Sequence, residues 1–421
     1  MLRAGRFAPT AVWFGAVLSL LLVVCLPVTA QQPSPDWTQC VHGHSPDLKI
    51  SSCTAVLQSG RETAANNAIA FFNRGVAYDA KKDYGRALAD YDEAIKLNPN
   101  LAGAFYNRGT AHYRKENYDR AIADFNAAIR LNPGFAMAFS NRGNAHTAKK
   151  DYDRAIADFN EAIRLNPGYA MAFSNRGSLH SAKKDYDRAI ADYDEAIRLN
   201  ASLAIAFYNR GVAYDAKKDY DRAIADYDEA VRLDPSDAKA FYNLGNAHHR
   251  KKNYDRAIAD YDEAIRLNPG YATAFTNRGL VHYHKNDYDR ALADYNDALK
   301  IDPNLTVAYG NRGAAYLQMG DNDRAIANLD EAIRRDPSDA FAYHKRAWAY
   351  FKAGKATLGL SDAERALQLE PDYAAALDTR GHIFEALGKR EEAIADFRRA
   401  VASDPSMEGS RDALKRLGAA P

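Results

Sequence analysis

The sequence predicts an all-α solenoid of ten 34-residue helix-turn-helix repeats, and three observations predict it. Proline recurs at 99, 133, 167, 235, 269, 303, 337, 371 and 405, always 34 residues apart, with Ala201 filling the one substituted slot. Asn-Arg-Gly recurs in the same frame at Asn73, Asn107, Asn141, Asn175, Asn209, Asn277 and Asn311. Within each period the apolar residues follow helical rather than alternating spacing. A fixed period of this length marks one supersecondary element that buries its apolar face only by stacking on its neighbours.

The repeat that starts at Ala204 shows the pattern. Phe207, Gly211 and Tyr214 lie on one face of a first helix, and a Lys-Lys-Asp turn follows. Tyr220, Ala223, Ile224, Tyr227, Ala230 and Val231 then trace a second apolar face at i, i+3, i+4 and i+7. Asp219 is the expected N-cap of this second helix and Asp221 places negative charge near its positive end. Asp228 precedes Arg232 by four residues, the favourable order for an ion pair, and Pro235 ends the helix.

Repeats of this kind fill residues 68–407. The segment 1–30 has Arg3 and Arg6, an apolar run from Ala11 to Leu26, and Val-Thr-Ala ending at Ala30. It reads as a secretory signal peptide cleaved after Ala30, with an uncleaved anchor as the alternative. No second run approaches membrane length, so no span is expected after cleavage. Residues 31–67 are expected to form a flexible lead (31–36) and a capping half-repeat, a helix over Asp47–Gln58. Residues 408–421 carry a closing helix, Ser410–Leu417, with Ala413, Leu414 and Leu417 on one side. Caps are needed because a repeat stack exposes apolar surface at both ends.

Composition narrows the function. Lys plus Arg is 56 against 55 for Asp plus Glu, a net charge of +1, which gives no electrostatic reason to expect a nucleic-acid partner. Between signal, repeats and caps no stretch is left for a separate catalytic domain. No nucleophile–base order, phosphate loop or paired-carboxylate pocket stands apart from the repeat pattern. The expectation is a chain without enzymatic activity and without a cofactor.

Phe105, Gly109, Ala121, Phe125, Ala128 and Pro133 sit at the offsets of a tetratricopeptide (TPR) repeat, which the chain resembles ten times over. The resemblance implies a right-handed superhelix whose first helices line a concave groove. It is similar to bacterial exported TPR proteins, which implies the periplasm or secretion. The chain departs from the family in three ways. The usual Leu before the glycine is Arg in nine repeats (Arg74, Arg108, Arg142, Arg176, Arg210, Arg278, Arg312, Arg346 and Arg380), with Leu244 the exception. The usual Tyr after it is His at 112, 146, 180, 248 and 282. The last three repeats carry turn glycines (Gly320, Gly354 and Gly388) where earlier ones have Lys, Glu or Asn.

Family geometry half-buries the nine arginines, and a buried guanidinium needs a partner. Asp recurs sixteen residues later at Asp90, Asp124, Asp158, Asp192, Asp226 and Asp294, which predicts an Arg–Asp ladder. The histidines are expected in the core, although His248, His249, His282 and His284 cluster. In an oxidising compartment Cys40 and Cys53 are expected to pair; a metal site with His42 and His44 is the alternative.

The eight residues Asn73, Asn107, Asn141, Asn175, Asn209, Asn243, Asn277 and Asn311 share the face that the family turns to the groove. A carboxamide both donates and accepts, so a row of them suits an extended peptide main chain. This is similar to the asparagine ladder in the TPR domain of the O-linked N-acetylglucosamine transferase. The alternative is that each Asn merely bridges neighbouring helices. Tyr106, Tyr208 and Tyr242 offer aromatic surface beside the row, and Trp348 is a candidate anchor. The expected function is therefore a cell-envelope scaffold for other proteins or peptides, with self-association left open and glycan binding by the same face as the alternative.

Overall fold

The computed structural model describes residues 34–420, so the signal-peptide reading of 1–30 lies outside the described residues. The described chain holds 23 α-helices and no strand. None of these helices is long and apolar enough to cross a membrane. They fall into two compact bodies that divide between Asn117 and Tyr118, inside the second repeat.

The first body opens with two helices, Pro35–His42 and Pro46–Ser59. Each starts at a Ser-Pro pair. The serine hydroxyls of Ser34 and Ser45 accept the amides of Trp37 and Leu48, and proline costs nothing at the first helical position because its amide would be unpaired there. The first of these helices begins inside the segment read as a flexible lead. Cys40 and Cys53 are joined by a disulfide, both fully buried with Val56 and Ala70. The helices Ala64–Ala80, Tyr84–Leu97 and Ala102–Arg114 complete this body.

The second body runs from Tyr118–Leu131 to Glu408–Arg416. Its repeats pair a 13-residue first helix with a 14-residue second helix, as in Ala204–Ala216 with Tyr220–Leu233. The core is a stripe of alanines with one large aromatic in most repeats, replaced by Leu329 in the eighth and Ala363 in the ninth. Gly211 shows why glycine is required in the first helix: a Cβ there would come 2.8 Å from the ring of Tyr227, itself 2% exposed. Asp219 caps the second helix by accepting the Arg222 amide at 3.2 Å, as the sequence predicts. Arg232, however, pairs with Glu229 and not with Asp228. At the far end Ala413 and Leu414 are fully buried against Ala393 and Phe397 and close the stack.

The arginine ladder is present and is double. In the second body Arg142, Arg176, Arg210, Arg278, Arg346 and Arg380 each grip the aspartate sixteen residues on, at 2.5–2.7 Å for Asp158, Asp192, Asp226, Asp294, Asp362 and Asp396. Arg74 holds Asp90 in the first body at 2.8 Å. The same guanidinium also reaches sixteen residues back, into the second helix of the preceding repeat: Arg142 to Asn126, Arg176 to Asn160, Arg210 to Asp194, Arg278 to Asp262 and Arg346 to Asp330. Arg312 holds two carboxamides, Asn328 and Asn296, instead of carboxylates. Most of these guanidinia also lie over the aromatic ring three residues before them, as Arg210 does over Phe207 at 5.6 Å, while Arg380, with Leu377 in that slot, lies over Phe384 at 5.5 Å.

The turn between the two helices places one residue in the left-handed region. It is Lys184 (φ 62°) and Lys218 (φ 63°) in two of the earlier repeats but glycine at 320, 354 and 388. A side chain there costs roughly 1 kcal/mol that glycine avoids. Lys184→Gly, whose side chain makes no ion pair, is therefore expected to stabilise the protein by about 0.5–1 kcal/mol in urea denaturation followed by circular dichroism.

Candidate functional site

The candidate site is the face where first helices of neighbouring repeats meet. Asn141, Asn175, Asn209, Asn243, Asn277 and Asn311 of the second body are half-buried on it, neither in the core nor free in solvent. All but Asn243, which precedes Leu244, stand one residue before the ladder arginine, which turns them about 100° away from the seam it fills. The arginine therefore binds second helices while the asparagine addresses the neighbouring first helix.

In the second body the carboxamides are pinned from behind. Asn175 donates to Asn144 Oδ1 at 3.0 Å, and Asn209 to Ser178 Oγ at 3.4 Å. Asn243 donates to Tyr208 Oη at 3.0 Å. Asn277 donates to Tyr242 Oη at 3.0 Å and to Asn246 Oδ1 at 2.8 Å. In every case the acceptor belongs to the preceding repeat, so the bridging role is real. The same geometry fixes the direction of each amide group and leaves its oxygen unused by the protein. Asn311 makes no side-chain hydrogen bond within the second body. Asn73 and Asn107 occupy the equivalent slots of the first body, where both are half-buried.

The aromatic neighbours divide. Tyr208 and Tyr242 are acceptors for the row and pack on Tyr227 and Tyr261 at ring distances of 6.0 Å. Burial pushes the Tyr208 hydroxyl up to about 12, so it stays protonated and can donate as well as accept. Tyr106 is half-buried in the first body. Trp348 packs on Phe351 at 5.2 Å and on His382 of the next repeat at 5.7 Å, with Lys352 over its ring at 5.4 Å. In the ninth repeat Lys345 takes the asparagine slot, over the Phe341 ring at 5.4 Å, and burial holds its pKa below the usual lysine value.

Three residues of the row were not legible from the repeat: Asn144, Ser178 and Asn246. Each lies three positions after an asparagine of the row, one helical turn along the same face. Their slot changes from repeat to repeat and is apolar in others, as at Val212, Leu280 and Ala314.

The histidines in the tyrosine slot lie in the core, as expected. His146, His180 and His282 are buried with Nε2 at 3.9, 3.8 and 4.0 Å from Asp158, Asp192 and Asp294. Burial lowers their pKa values although the carboxylates oppose it, so they are neutral at pH 7. His249 and His284 stack at 5.3 Å. Among the described residues no three His, Cys, Asp or Glu side chains converge as a metal ion requires.

Models of the tetratricopeptide repeat match residues 68–101, 106–170, 175–238, 216–272, 242–305, 306–339 and 344–408. The chain belongs to the tetratricopeptide-repeat family. TPR proteins typically bind other proteins or peptides. Among curated proteins none matches the chain. Of solved structures, a tetratricopeptide repeat protein from Parabacteroides merdae is 21% identical, with 59% of this chain and 98% of that one covered at a TM-score of 0.50. The APC/C hetero-tetramer Cut9–Hcn1 is 13% identical over 88% and 93%, with a TM-score of 0.51. YrrB, described as a TPR protein with an unusual peptide-binding site, is 28% identical over 44% and 96%, with a TM-score of 0.40. The first two likenesses concern the fold.

The bridges give a graded expectation. Asn277→Ala removes two half-buried hydrogen bonds and is expected to cost about 1–2 kcal/mol. Asn311→Ala removes none and should cost less than about 0.5 kcal/mol. Urea midpoints of the two variants compare them directly.

Proposed function

We propose that the chain is a non-enzymatic scaffold that holds extended peptide segments of other proteins along its first-helix face, in the cell envelope. The observation that carries this reading is the row of carboxamides whose orientation is set from behind. Asn175, Asn209, Asn243 and Asn277 each spend an N–H on the preceding repeat and keep an oxygen for a main-chain N–H of a ligand. Donors and acceptors held in advance lower the ordering cost of binding. Recognition through the main chain makes few demands on ligand sequence. The variable neighbours, from Tyr208 and Tyr242 to Lys345 and Trp348, then supply selectivity along the array.

The envelope location rests on two supports. Residues 1–30 read as an export signal. The Cys40–Cys53 disulfide suits an oxidising compartment.

The test uses the chain from residue 31 onward and a displayed library of random unstructured peptides. Peptides selected on the wild type are measured against an Asn209→Ala, Asn243→Ala, Asn277→Ala variant that keeps its helical circular dichroism. The reading predicts a loss of at least about tenfold in affinity, from several main-chain hydrogen bonds of ~1 kcal/mol each. Unchanged affinity would move the binding site off the row. Failure to select any peptide, with retention on purified cell-wall saccharide, would favour glycan instead.

A further inference from the structure

The arginine ladder has one gap, and its surroundings are complete. In the sixth repeat the arginine is replaced by Leu244, 3% exposed and packed with Tyr214, Ala223, Tyr227 and Ala247. Everything else that receives a guanidinium is still there. Asp260 stands sixteen residues on and Asp228 sixteen residues back, the spacing that brackets Arg210 between Asp226 and Asp194, and Arg278 between Asp294 and Asp262. Phe241 occupies the slot three residues before, where Phe207 and Phe275 carry the guanidinia of Arg210 and Arg278 at 5.6 and 5.4 Å.

The gap leaves polar atoms without partners. Asp260 Oδ2 is buried with no hydrogen bond. His248, 4% exposed, faces it with Nε2 at 3.9 Å, beyond hydrogen-bonding distance, and its Nδ1 is also unbonded. The Asp260 side chain is 16% exposed, where its partnered equivalents Asp226 and Asp294 are 7% and 6% exposed. Nothing covers it. Asp228 is exposed and forms no ion pair, and Asp260 is half-buried, so Asp228 is the solvent-facing member of the pair.

We propose that Asp228, Asp260, Phe241 and His248 form a binding site for a guanidinium from outside the chain, the side chain of an arginine in a partner protein. The site lies in the seam between second helices and does not depend on the carboxamide row. The chain itself shows the ligand, because equivalent positions in seven other repeats of the second body hold a guanidinium of their own. A lysine would fit less well, since a planar fork satisfies two carboxylates and stacks on a ring while an ammonium does not.

Protonation follows from the same geometry. Burial and the neighbouring Asp228 push Asp260 up to about 7, with Arg256 on its own helix opposing. His248 is kept neutral by burial, Arg256 and Lys251 against the pull of Asp228. Binding of a cation must therefore expel a proton from part of the population near pH 7. Affinity rises as pH rises through that value, because deprotonated Asp260 is the form that binds.

Calorimetric titration at pH 8 and fixed ionic strength tests this with three probes: the capped pentapeptide Ac-Ala-Ala-Arg-Ala-Ala-NH2, its citrulline counterpart, and free L-arginine. The arginine peptide is expected to bind at least about tenfold more tightly than the neutral citrulline peptide, the effect of one charge-assisted pair. The preference should vanish in Leu244→Arg, which refills the gap from within, and in Asp260→Asn, which leaves the packing of Leu244 intact. It should weaken at pH 5.5. Equal binding of the arginine and citrulline peptides, or an arginine preference that survives in both variants, would overturn the proposal. Tighter binding of free L-arginine than of the peptide would overturn the partner-protein source.

Discussion

The stack depends on a guanidinium shared between two consecutive second helices. A carboxylate such as Asp226, 7% exposed, is costly to bury alone. Arg210 removes that cost and at the same time ties Asp194 of the preceding repeat to Asp226 of its own. The guanidinium is suited to this because its fork presents separate N–H groups in opposite directions while its plane lies on Phe207. Repeat proteins make only neighbour contacts, so an interaction that crosses each junction weighs more here than in a globular core.

Sharing of this kind frees the other side of the first helix. The arginine and the asparagine before it point to different neighbours, and only the arginine holds the seam. The asparagine row can therefore carry binding without dismantling the stack, and the slots around it can vary. The ninth repeat shows the limit of this freedom. Arg346 still grips Asp362 and Asp330, while Lys345 replaces the asparagine and Trp348 enters nearby.

Much of the fold was legible because the period repeats ten times and each helix carries its own apolar stripe, with an aspartate cap on many second helices. The forward half of the ladder was legible too, since Arg and Asp recur sixteen residues apart within one repeat. Its backward half was not, because Asn126, Asn160 and Asp194 belong to the preceding repeat and alternate between amide and acid. The ion pair read between Asp228 and Arg232 failed for a related reason: Glu229 is three residues away, longer by one methylene, and captures the arginine. The helix Pro35–His42 escaped notice because it is short and rich in polar residues, and its stability comes from the disulfide and from burial of Cys40. In the candidate site the asparagines were visible by repetition. Asn144, Ser178 and Asn246 were invisible because their slot changes from repeat to repeat and is apolar at Val212, Leu280 and Ala314, which leaves no period.

The claim that shared guanidinia hold the stack is tested most directly by a double-mutant cycle at one junction. Urea unfolding of Arg210→Leu, Asp226→Leu and the pair gives the coupling between them. The account predicts that Arg210→Leu costs about 2–4 kcal/mol, more than the double variant, because it leaves Asp226 buried and unpaired. Additive losses, or an Arg210→Leu protein as stable as the wild type with Asp226 in place, would contradict it.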